Sequence, residues 1–180
     1  MIKAQNLDTP NMRLMTYTVS ENSYIADVHR KVQLSVLDDA EGPVNFTQLD
    51  PKIKQYMDSD TVGWVCKTKN PVQKIGLVYF SNVIPGLSAL FHPVFDIAGY
   101  LVYLRNGGNR FTPTVEFSQV ALNYMFNTLK LQRVTGVFFD CNVNAINLCK
   151  KLGFEQEGIM KKGTKVNNKP IDTVILGLVR

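Results

Sequence analysis

Disulfide chemistry is the first thing this chain lacks. Its 180 residues hold three cysteines, Cys66, Cys141 and Cys149, an odd and widely spaced set. A secreted disulfide framework does not fit that set, and thiols in a reducing compartment are expected. Histidine is scarcer still, with only His29 and His92. No zinc-type spacing exists among so few ligands, so no metal site is expected. Long apolar runs are missing too. The longest, Val83 to Phe91, is interrupted by Pro85, Gly86 and Ser88, and a bilayer-spanning helix needs roughly 20 residues. Met1-Ile2-Lys3-Ala4-Gln5-Asn6-Leu7-Asp8 has no apolar stretch of the kind a secretory leader carries. A soluble, cytoplasmic protein with no membrane partner is the expectation. Repeats at solenoid or propeller spacing are also absent.

What is present suits a packed globular chain. Hydrophobic residues make up 45% and charged residues 19%, enough apolar side chain to bury a core without staples. No Gly/Ser- or Pro-rich linker divides the chain, so one domain over residues 1–180 is expected. The net charge is +5. Residues 150–180 carry seven Lys/Arg against three acids, with no run of five like charges. No nucleic-acid motif accompanies them, and nucleic acid is not the expected partner.

Periodicity outlines the elements. Met12–Val19 reads as a strand, and Ser20 can cap a helix over 21–35 with Ile25, Val28, Val32 and Val36 at helical spacing. Asp38-Asp39-Ala40-Glu41-Gly42-Pro43 is a polar loop, and Asp50-Pro51 opens a short helix. Val62–Lys67, Lys74–Val83 and Phe95–Leu104 read as three strands. Thr112 as N-cap, Pro113 at the first helical position and Glu116 in the first turn start the best helix of the chain. Phe117, Val120, Ala121, Tyr124 and Met125 form its apolar stripe. Arg133–Asp140 is a strand. A helix from Asn142 or Asn144 runs to Leu152 and stops at Gly153. Phe154–Lys161 and Ile171–Val179 close the chain as strands joined through Asn167-Asn168. Consecutive strands favour antiparallel pairing and the strand-helix-strand stretch demands a parallel crossover. The fold class is a mixed α/β sheet with helices on both faces.

Open α/β sheets bind ligands where strand ends meet helix N-termini. The candidate here is the junction of Leu104 with the helix near Thr112, where backbone N–H groups attract phosphate and Arg105 and Arg110 add charge.

Asn142-Val143-Asn144-Ala145-Ile146-Asn147-Leu148-Cys149-Lys150-Lys151-Leu152-Gly153-Phe154-Glu155-Gln156-Glu157-Gly158 resembles the closing segment of GNAT N-acetyltransferases. It is most similar to the branch that acetylates ribosomal-protein N-termini. Tyr124–Val134 is similar to the helix and strand that precede that segment. The resemblance implies a mostly antiparallel sheet with a central parallel strand pair, splayed where acetyl-CoA binds. Those strands would be Tyr100–Leu104 and Arg133–Asp140. Backbone groups of Tyr103 and Leu104 would run along pantetheine, one amide meeting the thioester oxygen as it gains charge. The pyrophosphate would sit on Asn109-Arg110-Phe111-Thr112-Pro113-Thr114, with Arg110, Phe111, Thr112 and Thr114 as its residues, and Asn142 would lie near the pantetheine arm. The implied activity is transfer of acetyl to an amine, on a small molecule or a protein, by direct attack within a ternary complex.

Departures from the family pattern are specific. The family's pyrophosphate loop reads Arg-Gly-x-Gly-x-Ala, and Arg110 and Thr112 stand at its glycine positions. Pro113 removes one amide donor. A register using Gly107-Gly108 is the alternative alignment. Ala145 stands where the family often has a proton-donating Ser, and Cys149 where it has Tyr. No catalytic acid is assigned, and Glu116, Asp96 and His92 are the candidate bases near the site. These departures motivate a second reading, a catalytically impaired binding or assembly module of the same fold. The C-terminal strands could pair with another copy as a homodimer or remain an ordinary edge.

Overall fold

A computed structural model describes residues 4–16, 21, 23–28, 60–166 and 169–180. The expected loop at Asp38-Asp39-Glu41, the helix after Asp50-Pro51, His29 and the Asn167-Asn168 turn lie outside the described residues. So does most of the helix expected over 21–35, of which residues 23–28 are helical (α1).

Among the described residues one sheet of eight strands carries the fold, in the order β1-β2-β3-β4-β5-β6-β8-β7. These are β1 (Leu7–Asp8), β2 (Met12–Thr16), β3 (Val62–Thr68), β4 (Lys74–Ile84), β5 (Ser88–Phe95), β6 (Arg133–Phe139), β7 (Glu155–Val166) and β8 (Lys169–Val179). Every neighbouring pair is antiparallel except β5–β6. Three further helices are α2 (Ile97–Arg105), α3 (Pro113–Asn127) and α4 (Val143–Lys151). The mixed, mostly antiparallel sheet with one parallel pair is as expected.

Burial explains the centre of the sheet. β3 from Val62 to Cys66 and β4 from Ile75 to Phe80 carry no charged residue, and Val62, Trp64, Val65, Ile75, Val78 and Phe80 are all fully buried or nearly so. On one face, Phe117, Ala121, Leu122 and Met125 of α3 pack with Phe80, Phe91 and Val134. Trp64 stands edge-on to Tyr124, their centroids 5.3 Å apart, and its indole N–H donates to the Gln5 carbonyl at 2.8 Å. On the other face, Ile25 and Val28 of α1 pack with Leu77, Tyr79 and Val94. The broken apolar run from Val83 to Phe91 becomes a hairpin, with Gly86 at φ +76° in its turn.

One expected strand is a helix. Phe95–Leu104 alternates apolar residues in a way that also satisfies helical spacing, and capping decides between the two. The Asp96 carboxylate accepts the Gly99 N–H at 3.0 Å, and the Tyr100 N–H reaches the Asp96 carbonyl at 3.0 Å. Gly99 lets α2 approach β4 closely, since a Cβ there would overlap the Lys74 carbonyl oxygen. The parallel partner of β6 is therefore Ser88–Phe95. Pro93 and His92 obscure that strand in the sequence. Pro93 is tolerated because β5 has lost its β6 partner by that point.

Candidate functional site

The parallel pair opens part-way along. β5 and β6 are matched at Ser88↔Arg133, Ala89↔Val134 and Leu90↔Thr135 and no further. Beyond Leu90, β5 pairs only with β4, and beyond Thr135, β6 pairs only with β8. Register fixes what faces the gap. The Asp96 N–H donates to Ile75 on β4, so the even-numbered residues of β5 turn their polar backbone groups to β4. The odd-numbered residues turn theirs away, as the Leu87 carbonyl does in accepting from Gln132 and Arg133. The Leu90↔Thr135 pairing takes up the Phe91 N–H, so Phe91 and Pro93 present only C=O to the split, while Phe95 presents both N–H and C=O.

A cleft of about 510 Å³ lies beside this split. Pro93 and Phe95 of β5 form one wall. Ala145, Leu148 and Lys151 of α4 form another, with Asn142, Asn144 and Asn147. The start of α3 closes the third side through Phe111, Thr112, Pro113, Thr114 and Val115. The N-terminus of α3 is open to an anion, because Thr112 occupies the N-cap position without a side-chain capping bond. At α4 the Asn142 side chain caps its own helix by accepting the Ala145 N–H at 3.3 Å.

The candidate residues divide between cleft and surroundings. Phe111, Thr112, Thr114 and Asn142 line the cleft. Arg110 is exposed outside it. Tyr103 and Leu104 do not run along the split, because they belong to α2, with Tyr103 buried under the loop that precedes α3. The strand edge that the resemblance placed at Tyr103 and Leu104 is Phe91–Phe95 instead. The sequence reading passed over Pro93, Phe95, Asn144, Asn147, Leu148 and Lys151. The α4 residues had a readable signal, since Asn144, Asn147, Leu148 and Lys151 recur at helical spacing from an Asn cap.

Candidate proton-transfer groups are also sorted. Glu116 is committed to structure: it accepts from the Thr9 hydroxyl, the Asn11 N–H at 3.1 Å and the Asn11 amide at 2.9 Å. Asp96 is buried as the α2 cap. His92 shares a hydrogen bond between Nε2 and Ser81 Oγ at 2.8 Å and stacks on Tyr79, centroids 4.5 Å apart. Both partners lie on the sheet face opposite the cleft, one strand from the split. Cys149 is buried in the core, and burial pushes its thiol up to about 12. Among the described residues no group of His, Cys, Asp or Glu could hold a metal.

Residues 98–175 match the family model of the acetyltransferase (GNAT) domain. That stretch is similar to the GNAT acetyltransferase domain, and the whole sheet shares the fold of solved acetyltransferases. A Bacillus subtilis relative described as an uncharacterised N-acetyltransferase, YoaA, is 27% identical over 125 residues, covering 69% of this chain and 66% of its own length. The spermidine N-acetyltransferase of Vibrio cholerae, solved with CoA and spermine, superposes with a TM-score of 0.72 at 18% identity, covering 95% of this chain and 96% of that one. The ribosomal-protein-S5-alanine acetyltransferase of Vibrio fischeri gives 0.68 at 18% identity, over 98% and 97%. In GNAT terms β5 and β6 are the splayed parallel pair. Among the described residues no helix is long and apolar enough to cross a membrane.

Proposed function

We propose that this protein is an acetyl-CoA-dependent N-acetyltransferase, folded as one GNAT domain over residues 1–180 and acting in the cytoplasm on an amine of a small molecule or a protein. The observation that carries the reading is the split of β5 from β6 after Leu90, with a cleft at the split that ends on the uncapped N-terminus of α3.

The residues present fit acetyl-CoA by their chemistry. The α3 amides, the Thr112 and Thr114 hydroxyls and the Lys151 ammonium suit the diphosphate and its charge. Phe95 offers N–H and C=O to the amide-bearing pantetheine arm and Pro93 its C=O, and Pro93, Phe95 and Leu148 give it an apolar wall. Acetyl-CoA, when bound, supplies an activated acetyl group whose thiolate is already a good leaving group. The protein's task is then to hold donor and amine together and to take a proton from the amine. Ser81 and His92 are the best-placed pair for that proton among the described residues, reached from the face opposite the cleft.

Ala145 on the cleft wall favours a second reading, a GNAT-fold binding module without turnover, because alanine has no proton to give the departing thiolate. Isothermal titration with acetyl-CoA, followed by an amine screen, separates the two. Micromolar binding, about −8 kcal/mol, with transfer to an amine supports the enzyme. Binding without transfer to any amine supports the module. No binding at millimolar acetyl-CoA overturns the enzyme and favours a module that works without the cofactor. Light scattering of the same sample reads whether the protein is a homodimer.

A further inference from the structure

The loop from α2 into α3 is held by two tyrosine hydroxyls. Tyr103 Oη accepts the Asn109 N–H at 3.0 Å. Tyr100 Oη accepts the Phe111 N–H at 3.0 Å and donates to the Phe111 carbonyl at 2.9 Å. The two tyrosine rings stack with centroids 5.8 Å apart, and Phe111 stands edge-on to both at 5.7 and 5.9 Å. Gly108 makes room for this arrangement, because a Cβ there would overlap the Tyr103 ring.

The bonding pattern has a period of two. The N–H groups of Asn109 and Phe111 turn toward the tyrosines, and in extended backbone successive N–H groups point to opposite sides. Those of Arg110 and Thr112 therefore turn away from the tyrosines, and among the described residues neither has a protein acceptor. Thr112 lines the cleft, and Pro113 beside it has no N–H.

We propose that Tyr100 and Tyr103 are positioning residues that set the loop so that the Arg110 and Thr112 amides receive the diphosphate of acetyl-CoA. The clasp gives this loop the single conformation that an anion needs, at positions where side chains replace glycine. Its benefit is entropic, since a loop ordered beforehand loses less freedom on binding. The proposal rests on the acetyl-CoA reading above.

Two measurements on the full chain test it. In amide hydrogen exchange, acetyl-CoA should slow exchange at Arg110 and Thr112 and leave Asn109 and Phe111, already bonded, nearly unchanged. In isothermal titration, Tyr100→Phe should weaken acetyl-CoA binding by about tenfold, the scale of one or two lost hydrogen bonds, while the rings stay packed. Tyr103→Phe, which loses one bond, should weaken it less and serves if Tyr100→Phe does not fold. Affinity unchanged in both variants, or new protection at Asn109 and Phe111 instead, overturns the positioning role while leaving acetyl-CoA as ligand. A wild-type protein that does not bind acetyl-CoA overturns the cofactor reading and this proposal with it.

Discussion

Cys66, Cys141 and Cys149 share a side chain and differ in everything else. Burial raises the Cys66 thiol well above its usual range and Cys149 to about 12, while Cys141 is exposed next to Asn142 at the cleft. A thiol reagent should therefore label one cysteine of the native protein quickly and the other two only on unfolding. Mass spectrometry of the labelled peptide should find Cys141, and fast labelling at Cys149 would contradict its placement. Arg110 is the second residue whose surroundings set its effect. Its side chain lies exposed outside the cleft, so it acts on a bound anion as a solvent-screened charge. Arg110→Ala should weaken acetyl-CoA binding a few-fold at low ionic strength, with the difference vanishing in high salt. A loss that persists in high salt would mean direct contact.

At the scale of elements, the two-residue β1 is too short to hold itself to the sheet edge. Glu116 in the first turn of α3 ties down the turn between β1 and β2 through Thr9 and Asn11. The sequence offers this acid as a helix-dipole charge or a candidate base and does not show this tie, since its partners are more than a hundred residues away. Glu116→Ala leaves those donors unpaired and should cost about 2 kcal/mol of stability, read as a lower denaturant midpoint at unchanged slope. Restored stability in Glu116→Gln would point to the hydrogen bonds rather than the charge. Helix α2 shows where element type became ambiguous. Its apolar residues fit a period of two as well as a helical period. The Asp96 cap and the close approach of Gly99 to Lys74 made the helix.

Across the whole molecule, ion pairs join elements distant in sequence. Glu21 bridges the start of the α1 region to β3 and β4 through Lys67, at 3.1 Å, and Lys74. Burial opposes its charged form, but the two lysines outweigh that and hold the carboxyl below the ordinary 4.5 of a glutamate. Arg133 likewise lowers Glu157 across β6 and β7, and Lys161 lowers Asp172. A depressed carboxylate contributes its stability above the unfolded pKa and loses it as pH falls through the folded one. Thermal midpoints should therefore hold steady above about pH 5 and fall steadily in more acid solution. Glu21→Gln should flatten part of that fall, and an unchanged acid slope would remove Glu21 from this account.

Local features were legible in the chain alone: the Thr112-Pro113 start of α3, its apolar stripe, the Asn142 cap and Gly153 stop of α4, and the strands around Trp64 and Phe138. Each rests on residues within a few positions of one another, where propensity, capping and periodicity act directly. Long-range packing settled that Ser88–Phe95 is the partner of β6, that the two part after Leu90, that Glu116 holds the β1–β2 turn, and that Tyr100 and Tyr103 grip the loop before α3. Those outcomes depend on which backbone edges and hydroxyls meet after the chain has folded back on itself. A neighbour brought near by packing leaves no trace in local spacing.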